Sequence, residues 1–402
     1  MRLVSRQREI ARPEASPFGG VVLLLSSVLP ALVFIGLTPI LPQMEAHFHG
    51  QAGASFVVRL LVTVIGPTVI VGAPIAGFLA GRFGERRVMI WAAITFGLAG
   101  CVASLFDNLY AILTSRIVLG LAVAATSTLS TVILTKLYTG QARNRWLGYN
   151  GMVGGGAVLF LIPLCGFLGA ISWRLVFLVH ALAFPLVVLF VIGLPRDRPR
   201  ATHAQIALER ETPERTLIPW ALIALSLACG SVSSSANLFM PFHLARMGIT
   251  DSSKIGMLLL PGALAATLSA LAFGTIRTRL SASAAFALMF SLVGAGLFVV
   301  ALTTNLNIAI AGLAIFGFGV GLIVPNLFSV AAAMGTEADR SRLFGFTKSA
   351  YFAGPLLSQL VLEPVTRYGN AATAILTVGI FAASLSAWSL DRVRMEHRAL
   401  SN

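Results

Sequence analysis

The chain has 402 residues, of which 57% are hydrophobic and only 11% are charged, and its formal net charge is +14. Soluble domains carry roughly 25% charged residues, so this composition excludes a soluble enzyme and predicts a chain that crosses a membrane many times. The excess of basic residues does not indicate nucleic-acid binding, because these residues stand in short clusters between apolar runs.

Twelve apolar runs follow one another along the chain, each long enough to cross the hydrocarbon core as a helix. The first run is too long for a signal-peptide core and lacks a small-residue cleavage site, so we expect it to be the first span. The predicted spans are 19–43, 55–80, 88–106, 109–134, 146–168, 174–194, 218–242, 254–275, 283–303, 306–333, 342–364 and 370–390. They predict an all-α membrane protein of twelve transmembrane helices.

The polar stretch 195–217 divides these spans into six and six. We therefore expect an N-terminal tail (1–18), a first six-helix bundle (19–194), a linker (195–217), a second bundle (218–390) and a C-terminal tail (391–402). Shifting the first half by 199 residues lays Gly120 on Gly319 and puts Ile315 where Arg116 stands. Weak symmetry between halves is typical of repeat-built transporters, which bind substrate between the repeats near the midplane.

The basic residues predict the orientation. If both termini are cytoplasmic, the inner segments hold 22 Lys and Arg residues and the outer loops hold four. Positive charge collects on the cytoplasmic side, so we expect a multi-pass protein of a bacterial-type inner membrane with both ends inside. The three cysteines lie in apolar runs without metal-ligand spacing, so no metal or other cofactor is predicted.

The loop after the second span reads Gly77-Phe-Leu-Ala-Gly-Arg-Phe-Gly-Glu-Arg-Arg-Val88. Glycines allow helices to approach closely, and arginines can bond helix C-terminal carbonyls and acidic groups. The loop resembles the signature of the major facilitator superfamily between spans two and three. In that resemblance a conformational latch, which stabilises the outward-facing state, falls on Gly77, Arg82, Gly84, Arg86 and Arg87. Gly81 stands where the family usually carries an acidic residue.

Three further motifs carry the resemblance: Arg116 followed by Leu119-Gly120, the run Trp173-Arg-Leu-Val-Phe177, and Pro39-Ile-Leu-Pro42 at the end of the first span. The first resembles an intramembrane arginine motif of proton-coupled members, and the second resembles a motif common in the family. The third is similar to the paired prolines of the twelve-span drug:proton antiporter group. The resemblance implies a secondary transporter that works by alternating access, with protons as a candidate coupling ion, and a monomer embedded in lipid.

Polar groups at membrane depth are candidates for function, because they are costly in hydrocarbon. Arg116 lies too deep to reach the headgroups and is predicted to face the cavity. Arg59 is shallower and is expected to reach the outer headgroups, to pair with Glu45 or Asp107, or to serve the cavity. Interhelical bonding is the alternative to a binding role for His180, and less favoured candidates are Gln359 and Asn150. The other predicted substrate or coupling residues are Lys348, Asn326 and Asn237.

No Asp or Glu lies deep inside a predicted span, so the cavity is expected to be electropositive. This favours export of a small anionic or zwitterionic organic compound. The alternatives are an importer of organic anions, a multidrug exporter of lipophilic compounds, or a membrane sensor or scaffold on the same fold. No phosphate-binding loop or nucleophile–base pair is found, so no enzymatic activity is predicted.

Overall fold

A computed structural model of the chain describes residues 17–138, 140–197, 220–334 and 337–401. Within these ranges the chain forms helices joined by short turns, without a β-strand. The predicted N-terminal tail up to residue 16, and residues 198–219 of the predicted linker, lie outside the described residues.

Eleven helical segments are long and apolar enough to cross a membrane. With the helix Glu337–Tyr368, which has 32 residues but more polar side chains, we number them as spans 1–12. In chain order the spans are Pro17–His47, Ala54–Phe83, Glu85–Leu105, Leu109–Leu137, Gly140–Ile171, Trp173–Gly193, Trp220–Arg246, Ser252–Arg277, Ala282–Leu302, Leu306–Ala333, Glu337–Tyr368 and Ala371–Ser401. The predicted all-helical membrane fold is confirmed.

Several spans are interrupted rather than continuous. Span 1 is broken at Ser26 and Ser27, and span 6 tightens into a 3₁₀ turn at Val179–Leu182. The component helices are Pro17–Leu25, Val28–Ile35 and Leu41–His47 with the turn Thr38–Ile40 in span 1, Ala54–Thr63 and Ile65–Phe83 in span 2, Glu85–Val102 with the turn Ala103–Leu105 in span 3, and Trp173–Leu178 and Ala183–Gly193 in span 6. The last helix continues to Ser401, so the segment expected as a tail from residue 391 extends span 12.

We call the side of the protein at which span 1 begins and span 12 ends the terminal side, and the opposite side the distal side. The loops after residues 47, 105, 171, 246, 302 and 368 lie on the distal side. By the distribution of basic residues, the distal side is the predicted outer side.

Buried side chains form separate cores in the two halves. One cluster is built almost entirely from spans 1–6, and two further clusters come mainly from spans 7–12. Small residues allow close helix packing, as where Gly317 of span 10 meets the backbone of Gly262 in span 8. Large apolar side chains such as Phe78 and Phe160 are instead exposed, as expected for surfaces that face lipid.

Candidate functional site

The two halves are joined on the distal side. Phe242 and Ala371 of the second half belong to the core of the first half, and Ile162 of the first half belongs to a core of the second. Each hydrophobic core therefore includes a few residues of the other half at this end of the molecule.

An ion pair crosses this joint between spans 2 and 11. Nη2 of Arg59 donates to Oε2 of Glu363 at 2.7 Å and lies 3.4 Å from Oγ1 of Thr366. The Arg59 side chain is only 8% exposed, against 30% for Glu363, and its guanidinium lies 5.8 Å from the centre of the Phe242 ring. The expectation that Arg59 reaches the headgroups or pairs with a carboxylate of its own half was wrong, because the packing of span 11 against span 2 brings Glu363 closer.

Two more contacts continue the joint toward the membrane centre. Nε2 of Gln359 donates to the carbonyl of Phe56 at 2.8 Å. Oε1 of the same Gln359 side chain accepts from the Thr63 hydroxyl. One turn further, a Cβ on Gly66 would stand 1.9 Å from the carbonyl oxygen of Phe352. Spans 2 and 11 are thus in backbone contact, and we call the residues 59, 63, 66, 352, 359 and 363 the distal seal.

Span 11 leaves the first half just beyond the seal. Glu363, Gln359 and Phe352 touch the first half, and their spacing continues to Lys348 on the same helical face. Lys348 is nevertheless exposed, as is Gly345 one turn further. A Cβ on Gly345 would have no neighbour within 4 Å.

Span 2 shows the same separation. Gly77 lies on the helical face that carries Arg59, Thr63 and Gly66, yet it is exposed and a Cβ there would meet nothing within 4 Å. The two facing surfaces therefore part between Gly66 and Gly77.

Spans 5 and 8 repeat the pattern on the other side of the joint. A Cβ on Gly166 would lie 2.7 Å from the carbonyl oxygen of Ser252, so the helices touch there. Gly148, Gly151 and Gly155 lie on the same face of span 5, toward the terminal side, and a Cβ on any of them would have open space. A cavity between the halves consequently opens to the terminal side and is closed to the distal side.

The inner end of this cavity carries a cation and aromatic rings. Phe34 of span 1 and Phe352 of span 11 stack with centroids 5.3 Å apart and planes 9° from parallel. Nζ of Lys348 lies 5.9 Å from the Phe352 centroid, and no hydrogen bond or ion pair joins Lys348 to the described part of the chain. Tyr351 bonds the Ser233 hydroxyl at 3.0 Å. Half-buried Asn237 lies nearer the distal end of span 7.

Arg116 and His180 lie inside the first half, where each is only 1% exposed. Nη1 of Arg116 lies 3.2 Å from Nε2 of His180, and its guanidinium is 4.8 Å from the Phe177 ring centre. Nδ1 of His180 is 2.8 Å from the Phe177 carbonyl, so Nδ1 donates there and Nε2 accepts from the arginine. In this conformation the pair does not line the open cavity, and the predicted substrate role of Arg116 stays a prediction.

The remaining polar candidates hold helices together. Nδ2 of Asn326 donates to the Ala282 carbonyl at 3.3 Å, and its Oδ1 is buried without a partner. Nδ2 of Asn150 donates to the Leu23 carbonyl at 3.2 Å, next to the break in span 1. Both contacts join neighbouring helices within one half.

The predicted latch loop is held within the first half. Gly84 has a φ of 98°, which favours glycine, and it precedes span 3. The Asp197 carboxylate, which follows span 6, accepts from the backbone N–H of Arg86 at 2.9 Å and of Arg87 at 3.2 Å. Arg82 is exposed, with its guanidinium 5.5 Å from the Phe83 ring centre. Asp197 thus caps span 3 from another part of the chain.

Asp197→Ala is expected to lower the free energy of unfolding by about 1 kcal/mol, the usual cost of replacing a helix N-cap by alanine. The change would appear as a lower midpoint of thermal unfolding in detergent. Asp391→Ala is the matched control, because that carboxylate is exposed and, among the described residues, bonds only Arg394 on its own helix. Equal midpoints for the two variants would show that the cap contributes no stability.

Sequence reasoning missed several residues of the joint. Phe34, Tyr351 and Phe352 look like ordinary apolar residues in their spans, and Glu363 lies near the outer end of its predicted span, where no role was predicted for it. The spacing of Lys348, Phe352, Gln359 and Glu363 along one helical face is the signal that could have grouped them.

Comparisons with known proteins support this architecture. The chain matches the Major Facilitator Superfamily over residues 23–359. It is 33% identical over 128 residues to the bacillibactin exporter of Bacillus subtilis (strain 168), a match that covers 30% of this chain and only 31% of that protein. It is 23% identical over 390 residues to the class E tetracycline resistance protein of Escherichia coli, covering 89% and 93% of the two chains. The xylose transporter XylE from E. coli, solved in an inward-open conformation, superposes with a TM-score of 0.73 at 14% identity, covering 92% and 95%.

Proposed function

The chain belongs to the major facilitator superfamily, and we propose that it is a secondary transporter that exports a small anionic or zwitterionic organic compound by alternating access. It is a multi-pass membrane protein whose family transports small molecules. The substrate, the direction, the orientation in the membrane and the proton as coupling ion are parts of the proposal. The monomeric state also stays a prediction.

The observation that carries the proposal is the exposed Lys348 at the inner end of a cavity that is open on one side only. Of the three basic residues within the predicted spans, Arg59 is ion-paired in the seal and Arg116 is enclosed in the first half. Of these three residues, Lys348 is therefore the one that a solute entering the cavity can contact. An ammonium at membrane depth, without a hydrogen bond or ion pair to the described residues, attracts an anion and repels a lipophilic cation.

Two considerations favour export. The positive-inside rule places the open terminal side in the cytoplasm, which is where an exporter loads its substrate. The names of the bacillibactin exporter and the tetracycline resistance protein also describe efflux and resistance. Neither consideration depends on the identity of the substrate.

Lys348→Met is expected to weaken the binding of carboxylates roughly tenfold to a hundredfold, since a hydrogen bond to a charged group contributes about 1.5–3 kcal/mol. Binding can be followed by thermal unfolding of the purified protein, because a ligand at about 100 times its dissociation constant adds about 2.7 kcal/mol. Carboxylates and lipophilic cations of similar size form the panel.

Lys254→Met is the matched control, since Lys254 is exposed at the distal end of span 8 and far from the cavity. The proposal requires stabilisation by carboxylates that Lys348→Met removes and Lys254→Met preserves. Stabilisation by cations alone, unchanged in both variants, would instead identify an exporter of lipophilic cations. Efflux from vesicles with and without an imposed pH gradient then tests proton coupling.

A further inference from the structure

Three aromatic rings form a cluster beside Lys348 at the inner end of the cavity, with Phe352 in contact with the ammonium. Phe352 and Tyr351 follow it at positions i+4 and i+3 on span 11, so their side chains border the same patch of the helix surface. Their rings meet edge to face at 5.8 Å. Phe34 joins from span 1 by stacking on Phe352. The cluster therefore contains one cation and rings from both halves of the protein.

These rings are available to a ligand. Phe34, Tyr351 and Phe352 are all half-buried, and Phe34 and Phe352 pack against the core of the first half with only part of each side chain. Their exposed parts border the open cavity, because Phe352 is the last contact of the distal seal before span 11 separates from the first half. A solute drawn to the Lys348 ammonium thus arrives within ring contact of the cluster.

We propose that the transported compound is an aromatic carboxylate, or an equivalent aromatic anion, whose charge pairs with Lys348 while its ring packs against Phe352 and Phe34. This inference rests on the proposed function and narrows it. Rings at 4.5–7 Å prefer offset or edge-to-face packing, which a saturated ring of the same size does not reproduce. The site therefore distinguishes aromatic from aliphatic anions of equal charge.

The arrangement also links the ligand to the seal. The Phe34–Phe352 stack joins span 1 to span 11. A ligand ring that packs beside Phe352 competes with Phe34 for the same aromatic surface. Binding would then loosen the contact that ends the distal seal, which is the change needed before the distal side can open.

The test compares three ligands of matched size: 2-naphthoate, its saturated counterpart decahydro-2-naphthoate, and the uncharged 2-naphthamide. Dissociation constants are measured by calorimetry on the full-length protein and on Phe352→Leu, Phe34→Leu and Lys348→Met. Phe346→Leu is the matched control, since Phe346 is exposed on the opposite face of span 11. The ratio of the two carboxylate constants is the decisive quantity, because a general shift between conformations affects both carboxylates equally.

We expect 2-naphthoate to bind roughly threefold to tenfold more tightly than the saturated acid, in line with the worth of aromatic packing. The ratio should fall to near one in Phe352→Leu and Phe34→Leu and persist in Phe346→Leu, and 2-naphthamide should bind weakly. Equal affinities in the unmodified protein, or a ratio that survives both substitutions, would overturn the inference and leave anion export standing if Lys348→Met still abolishes binding. Carboxylate binding that Lys348→Met leaves intact, or no carboxylate binding at all, would overturn the proposed function and this inference with it.

Discussion

Glu363→Gln is expected to shift the empty protein toward a state that is open on the distal side. The substitution removes the negative charge that compensates Arg59, whose side chain lies almost fully within the joint. Breaking a fully buried ion pair costs about 3–5 kcal/mol, and the partial exposure of Glu363 reduces this to roughly 2 kcal/mol, which is a thirtyfold change in the ratio of the two states.

Spin labels at Ala52→Cys and Tyr368→Cys, in a background without the three native cysteines, would measure this opening. Both sites are exposed beside the joint, one in each half. The distance between the two labels should lengthen in Glu363→Gln. It should return to its original value in the charge-reversed double variant Arg59→Glu with Glu363→Arg. Glu45→Gln is the control, because Glu45 lies on the distal side without an ion pair to the described residues. An unchanged distance in Glu363→Gln would mean that the apolar contacts alone keep the joint closed.

Gly77→Leu and Gly345→Leu are expected to slow transport roughly tenfold to a hundredfold without lowering stability in the conformation described here. Arg59 lies opposite Glu363 and Thr63 opposite Gln359, and the same antiparallel register continued along both helices brings Gly77 opposite Gly345. Closing the terminal side would press these two glycines together. Overpacking costs about 1–3 kcal/mol, enough to slow the transition roughly tenfold to a hundredfold.

In the present conformation both glycines face open space, so the added side chains meet no clash. Replacing glycine within a helix should even raise the unfolding midpoint slightly, because glycine costs about 0.5–1 kcal/mol there. Vesicle transport and thermal unfolding are measured on the same preparations. Ala387→Leu serves as control, since Ala387 is exposed midway along span 12. Normal transport by both glycine variants would show that spans 2 and 11 do not meet in the opposite state.

The sequence was sufficient for the fold because hydropathy, loop charge and glycine motifs are local properties. The pairing of charged residues was not local. Arg59 and Glu363 are 304 positions apart, and only the register between spans 2 and 11 brings them together. Arg116 and His180 were each recognised as polar groups at depth, but their mutual contact depends on the packing of spans 4 and 6.

The proposed role of the aromatic residues could not be predicted from the sequence for a different reason. A phenylalanine in an apolar run has the same appearance whether it faces lipid, a core or a cavity. Phe352 differs from its neighbours only because span 11 leaves the first half at that point. Whether a side chain is exposed in the pathway depends on how the two bundles tilt relative to each other. A single run of residues does not encode that tilt.

The close backbone contact at Gly66 has a mechanical consequence. Spans 2 and 11 touch at Gly66 and Phe352 and separate toward the terminal side, so this contact can serve as a fulcrum about which the two spans rock. At 1.5 Å per residue, the arm from Gly66 to Arg59 is about 10 Å long and the arm to Gly77 is about 16 Å long. A given rotation therefore moves the terminal ends about one and a half times as far as the distal ends, so separating Arg59 from Glu363 brings the terminal ends together by a somewhat larger distance.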